Sequence, residues 1–408
     1  MFNSKNLKRF LTFDADQEIL PAENRLIIPN FVHMSGCYIH IPFCAQKCSY
    51  CDFHFSTNHT YKVKMVDALC KEIALRSKAW KKESIETIYF GGGTPSVLTA
   101  EQIRQLIEQV KSNYRVIDSV EITLECNPDD CSLENLKHWK QLGVNRLSIG
   151  IQSFRDEQLK WMNRSHQSAD SLTAVRNAKE VGFKELSLDL MYGLPNMSLQ
   201  EWKEQLDQLI ALDPEHISAY CLTVEQKTAL YKLVKDGKLH VSSNEQQSEQ
   251  FELLVETLKN AGYEQYEISN FARNGHYSKH NTSYWKGAKY VGIGPSAHGY
   301  NGTERYWNQA NNTFYIKELE NDRLPETIEE LSPFDRFNET LMIGLRTKWG
   351  ASKQLLFENL SPDEEWFRTV KGYEDEKLLI QTEENLILTP AGRLLADAIA
   401  SDLFIIDN

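Results

Sequence analysis

The chain has 408 residues, with 57 acidic against 45 basic side chains and a formal net charge of −12. A surface of that sign repels a phosphate backbone on average, and with no basic patch to offset it nucleic acid is excluded as a partner. No apolar run reaches membrane-spanning length, and Asp14, Asp16 and Glu18 interrupt the opening segment before a signal-peptide core could form, so a cytoplasmic protein without a transmembrane segment is expected.

The length suits two or three domains, because single cores seldom grow past roughly 250–300 residues. Residues 1–33 show little apolar periodicity and are expected to be a dispensable extension, since Met34 stands directly before SGCYIHIPFC. From residue 38, the strand-like runs YIHI, TIYF, VEITLE, RLSIGI, ELSLDLMYG and HISAYCL alternate with segments of helical period at 61–80, 99–113, 132–142, 168–181 and 198–212. Ser132, Ser168 and Ser198 are the expected N-caps. About six such units are too few for an eight-stranded barrel, so the α/β fold expected over 34–270 is an open, partial (β/α)6 barrel. Past residue 240 a helical stretch leads into EISNFARNGHYSKHNTSYWKGAKYVGIGPSAHGY, which reads as loop-like and opens the segment 271–330. The tail, 331–408, reads as a smaller, mainly helical or winged-helix domain with a short strand near LLIQTEENLILT.

The polar residues with chemical promise all follow strands: the Cys44, Cys48, Cys51 loop the first, GGGTPS the second, ECNPDD the third and Gln152 the fourth. In parallel α/β architectures that end is the ligand-binding rim. Eight cysteines, three of them crowded into one loop, argue against a disulfide framework in a reducing cytosol and for a metal or redox centre. Two centres suit the loop. Zinc would complete a Cys3His set with His54, whereas a [4Fe–4S] cluster would use the three thiolates and keep one iron open.

The spacing Cys-x3-Cys-x2-Cys after YIHIPF resembles the radical S-adenosylmethionine (SAM) superfamily. That resemblance implies a [4Fe–4S] cluster whose open iron is chelated by SAM, and reductive cleavage of SAM to a 5′-deoxyadenosyl radical. FGGGTPS, LECNPDD, IGIQSF and LDLMYGLP extend the resemblance, over most of residues 36–300, to the branch that holds oxygen-independent coproporphyrinogen III oxidase and a family of haem chaperones. The tail resembles that branch's C-terminal domain. Two features separate the branches: Phe53 stands where the oxidase carries a fourth thiol, and HNTSYW at 280–285 matches a motif associated with haem binding in the chaperones. The resemblance therefore implies a haem chaperone delivering haem to apo-haemoproteins, respiratory ones among them, with a radical enzyme acting on a tetrapyrrole as the alternative.

By the same resemblance Gly92, Gly93 and Thr94 contact the amino-acid part of SAM, Glu125 its ribose, and Gln152, Arg164 and Asp189 further parts of it, with Tyr38 beside the cluster. By residue type alone His280 reads first as a loop histidine bonded within an aromatic cluster; the motif reverses that order and implies it as the haem ligand, flanked by Tyr284 and Trp285. His276, His298 and Cys37 are second-ligand candidates with no spacing argument. Cys70, Cys126, Cys131 and Cys221 read as small core hydrophobes.

Overall fold

The computed structural model describes residues 35–358 and 360–406. The extension 1–33 lies outside the described residues. The chain runs β1 (Ser35–Ile41), α1 (Lys62–Arg76), β2 (Ser84–Gly92), α2 (Ala100–Asn113), β3 (Arg115–Cys126), α3 (Leu133–Gln141), β4 (Arg146–Gln152), the short α4 (Asp156–Trp161), α5 (Ser168–Val181), β5 (Glu185–Tyr192), α6 (Leu199–Ala211) and β6 (His216–Cys221). The strands β1 to β6 pair consecutively and in parallel, which is the partial barrel expected. Their near-continuous burial follows from helices covering the sheet. Ser132 and Ser198 cap their helices as expected. At α5 the cap is Gln167 instead of Ser168, because Gln167 and Asp170 bond each other's backbone reciprocally and draw Ser168 inside the helix.

Next come α7 (Ala229–Lys235), α8 (Asn244–Asn260), β7 (Glu264–Gln265), β8 (Asn270–Ala272), α9 (Lys279–Trp285), β9 (Tyr290–Ile293), β10 (His298–Tyr300), β11 (Glu304–Asn308), α10 (Asn312–Glu320) and β12 (Glu326–Glu330). Here the loop-like reading is corrected. β9 pairs in parallel with β1, β10 to β12 follow as an antiparallel meander, and β8 pairs antiparallel with β6. Among the described residues the sheet has twelve strands, in the order β12-β11-β10-β9-β1-β2-β3-β4-β5-β6-β8-β7, and so runs across the boundary drawn at 270. Gly292 and Gly299 resemble loop signals but mark close packing. A Cβ would meet the His298 carbonyl oxygen at 1.7 Å from the first and the Tyr306 ring at 2.1 Å from the second.

The tail holds α11 (Pro333–Leu345), β13 (Ala351–Ser352), α12 (Lys353–Phe357), α13 (Glu364–Asp375), β14 (Leu379–Gln381), β15 (Asn385–Leu388), α14 (Pro390–Arg393) and α15 (Ala396–Asp402). Its helices surround a small antiparallel sheet and share a core of their own around Phe337, Leu341, Trp366, Leu386 and Ile399. Among the described residues no helix is long and apolar enough to cross a membrane.

Candidate functional site at the barrel rim and floor

The carboxyl ends of β1 to β6 form a rim, and their amino ends a floor. At the rim, the thiol loop closes on itself: Cys44 N–H donates to Ser56 O (3.1 Å) and Ser56 N–H to Pro42 O (3.0 Å). The glycine loop after β2 straps it down, with Gly93 N–H donating to Ile41 O (2.9 Å) and Thr94 N–H to Phe43 O (2.7 Å). A Cβ on Gly93 would lie 2.5 Å from Phe43 O, so only glycine permits this strap. Thr94 Oγ1 lies 3.4 Å from Cys44 Sγ. Burial pushes the Cys44 and Cys51 thiols up to about 11, and neighbouring thiols of the loop add to the effect. Bound to a cationic centre, the same groups would ionise.

His54 has turned elsewhere. Its Nε2 is 2.7 Å from Asn312 Oδ1 and its carbonyl accepts from His40 Nε2 at 2.9 Å. Among the described residues no three His, Cys, Asp or Glu side chains are arranged to hold a single metal ion.

Arg164 links the thiol loop to β3 and β4. Its Nη2 donates to Asn127 Oδ1 (2.8 Å) and Gly150 O (3.0 Å), its Nη1 lies 3.6 Å from Cys48 Sγ, and its Nε is buried with no partner among the described residues. Gln152 sits at φ 63° beside an irregularity in the β4–β5 pairing, and over the bare Cα of Gly150 its amide and the Arg164 guanidinium meet. Over Gly91 the Tyr38 and Tyr89 rings and the Glu125 carboxylate converge in the same way, each within 3.0 Å of where a Cβ would stand. Tyr89 OH donates to Glu125 Oε1 at 2.7 Å. Burial pushes Glu125 up to about 7, with Asp189 adding to the rise, and Asp189 itself up to about 6 although Ser148 donates to it at 3.0 Å. Tyr38 OH lies 3.1 Å from His40 Nδ1; since His40 Nε2 must donate to the His54 carbonyl, Nδ1 is the acceptor.

The floor is closed by α9. Glu121 accepts from the backbone N–H groups of Lys279 (3.2 Å) and His280 (3.0 Å), and Ser278 from that of Asn281 (3.3 Å), so three of the helix's orphan donors are met. His280 points inward, stacked on Tyr89 at 4.9 Å, with Nδ1 2.7 Å from Thr87 Oγ1 and Nε2 2.7 Å from Tyr284 OH. It is 1% exposed, and burial lowers its pKa to about 3, so the ring is neutral. Ligation of iron by His280 would require Tyr284 to release Nε2. Trp285 faces Arg346, His298 stacks on Trp307, and Cys37 lies in the core.

The rim thus collects Cys44, Cys48, Cys51, Gly92, Gly93, Thr94, Glu125, Gln152, Arg164 and Asp189; His280 stands on the floor side, and Tyr38 lies between the two, its ring stacked on His280 at 6.3 Å. Sequence reading passed over Asn127, His40 and Tyr89. The first lies inside ECNPDD and the second inside YIHIPF, where the flanking motif residues drew attention away; Tyr89, in an apolar strand, carries no local signal at all.

A partial parallel barrel with a three-thiol loop on its rim defines a radical SAM protein. Residues 38–209 match the family model of the radical SAM superfamily and residues 331–395 that of the HemN C-terminal domain. The heme chaperone HemW of Bacillus subtilis is 37% identical over 371 residues, covering 90% of this chain and 98% of the relative. HemW of Synechocystis sp. is 34% identical, covering 87% and 89%. In fold the chain is similar to coproporphyrinogen III oxidase (HemN) from Escherichia coli, a radical SAM enzyme, with a TM-score of 0.79 at 23% identity over 92% of this chain and 91% of that one. The chain belongs to the heme chaperone HemW family. Its superfamily implies a [4Fe–4S] cluster and SAM.

Proposed function

We propose that this protein is a haem chaperone that binds haem, holds a SAM-liganded [4Fe–4S] cluster and delivers haem to apo-haemoproteins, respiratory ones among them. The observation that carries this reading is the division of one barrel into a thiol rim and a histidine-bearing floor, in a chain whose relatives are named heme chaperones. Cys44, Cys48 and Cys51 hold the cluster; with His54 engaged at Asn312, three thiolates remain, which suits a cluster with an open iron better than a Cys3His zinc site. The cluster would supply an open coordination site for the amino and carboxylate groups of SAM. Gly92 and Gly93, lacking side chains, would give those groups a close approach beside Thr94, while the N–H groups of Gly93 and Thr94 stay bonded to the thiol loop. Arg164 would pair with a carboxylate, Glu125 as its anion would accept ribose hydroxyls, and Gln152, Asp189 and Tyr38 would complete the wall. Haem belongs to the HNTSYW end, with His280 as the ligand the motif names.

A second reading, a radical SAM enzyme acting on a tetrapyrrole such as coproporphyrinogen III, is favoured by the polar wall below the rim, where Glu125 and Asp189 titrate close to neutrality. Anaerobic reconstitution followed by parallel assays decides between them. Stoichiometric haem binding without decarboxylation supports the chaperone; turnover of coproporphyrinogen III to protoporphyrinogen IX overturns it.

A further inference from the structure

Resting on the haem-chaperone reading, we infer that Tyr89 is a positioning residue shared by both ends of the barrel: its hydroxyl sets Glu125 for the ribose of SAM, and its ring sets His280 for haem iron. Every second side chain of a strand faces the same way, so Thr87, Tyr89 and Gly91 line one face of β2. That face looks into the barrel. Thr87 Oγ1 lies 2.7 Å from His280 Nδ1, the Tyr89 ring stacks on His280 at 4.9 Å, and the Glu125 carboxylate comes within 3.0 Å of where a Cβ on Gly91 would stand. Gly92, Gly93 and Thr94 follow at once. A single strand thus runs from floor to rim, and Tyr89 stands midway along it.

Tyr89 divides its two parts between the ends. The hydroxyl donates to Glu125 Oε1 at 2.7 Å, and among the described residues no other side chain hydrogen-bonds that carboxylate. An ionised carboxylate has about four acceptor sites, so it can keep this bond and still accept both ribose hydroxyls. A donor on a rigid, buried ring limits how the carboxylate can turn. At the other end, the ring lies at an interplanar angle of 22° to His280. With Thr87 held at Nδ1, this contact leaves the imidazole little room to rotate and keeps Nε2 aimed at Tyr284, the group that ligation must displace. Tyr38 is the other ring between the ends, yet its hydroxyl pairs with His40 and its centroid is 6.3 Å from that of His280. The remaining titratable groups around Glu125 are Asp189 on β5, Tyr220 on β6, Tyr284 on α9 and the Cys44 thiol; of these Tyr284 also meets His280, and it makes no bond to Glu125.

The test uses two variants of the full chain, reconstituted anaerobically and titrated separately with SAM and with haem. Tyr89→Phe removes the hydroxyl and keeps the ring. It should weaken SAM binding about tenfold near pH 7 and move the pH midpoint of SAM affinity upward by about one unit, because the anion that accepts the ribose has lost a donor. Its haem affinity and Soret band should match wild type, and its effect on SAM should vanish in a Glu125→Gln background. Tyr89→Met, or Tyr89→Leu should that variant not fold, removes the flat ring as well. It should also weaken haem binding at least about fivefold and shift the iron–histidine stretching band of the reduced complex in resonance Raman spectra, with no further loss of affinity in a His280→Ala background. A wild-type SAM affinity and pH midpoint in Tyr89→Phe, or wild-type haem binding in the ring-less variant, overturns the inference. Losses that simply add in the double variants overturn it too, since Tyr89 would then act on neither Glu125 nor His280. A wild-type chain that binds no haem at all fails the chaperone reading itself and the floor half with it, a result distinct from wild-type behaviour in the variants.

Discussion

Rim and floor of the same barrel are built in opposite ways. At the rim, backbone N–H groups are used to strap one loop over another, and the side chains are left with unspent capacity: three half-buried thiols, an unpartnered Arg164 Nε, and two carboxylates that burial holds near neutrality. At the floor, the histidine singled out by motif has spent both nitrogens, on Thr87 and Tyr284. A polar group that awaits a ligand carries a desolvation cost that the ligand relieves, whereas a satisfied one is holding the fold. By that criterion the rim is the end that awaits a ligand as it stands, whereas the floor must open at Tyr284 before His280 can take haem iron.

The sharpest break between the two ends comes from the thiols. Cys44/Cys48/Cys51→Ala together should abolish the broad iron–sulfur absorbance after reconstitution while leaving haem binding at the floor within about twofold, provided the chain stays folded. Concurrent loss of haem in a folded triple variant would show that the two ends are one site. Next in size, Gly93→Ala forces a Cβ against Phe43 O and should cost ~1–3 kcal/mol in urea denaturation, with reduced iron per chain and no change in haem affinity.

Glu125 sharpens the comparison through pH. Its pKa in the fold is about 7 against an ordinary 4.5, so the folded state binds this proton more tightly than the unfolded chain. The stability that follows is fully present below pH 4.5 and lost as pH rises through 7, and Asp189, at about 6, acts with the same sign. Glu125→Gln cannot ionise, so the ligand-free variant should exceed wild type by ~1–2 kcal/mol at pH 8 and by nothing at pH 4, while binding SAM more weakly. An equal stability difference at both pH values would remove the assignment of a proton to Glu125. At the floor, Glu121→Ala frees two N–H groups of α9 and should cost ~1 kcal/mol, measured by thermal unfolding, with the cluster absorbance unaltered. Smallest of all, His54→Ala should leave iron and sulfide content unchanged; zinc bound by wild type and lost from this variant would restore the Cys3His reading.

The amino-acid sequence by itself determined the βα alternation, the order of the six parallel strands and the rim position of the thiol, glycine and carboxylate motifs. Each of these rests on a short local period or on the turn that follows a strand, information carried within a dozen or so residues. Only the tertiary structure decided that residues 290–330 extend the sheet, because β9, a strand of four residues, takes its hydrogen bonds from β1, far away in the chain, and β10 to β12 join the sheet through it. Only it could show His54 turned to Asn312 across a separation of 258 residues, His280 sealed by Thr87 across 193, and His276 set against Glu185 across 91. Whether a histidine keeps a free nitrogen depends on which groups long-range pairing places against its ring, and no local pattern of residues encodes that.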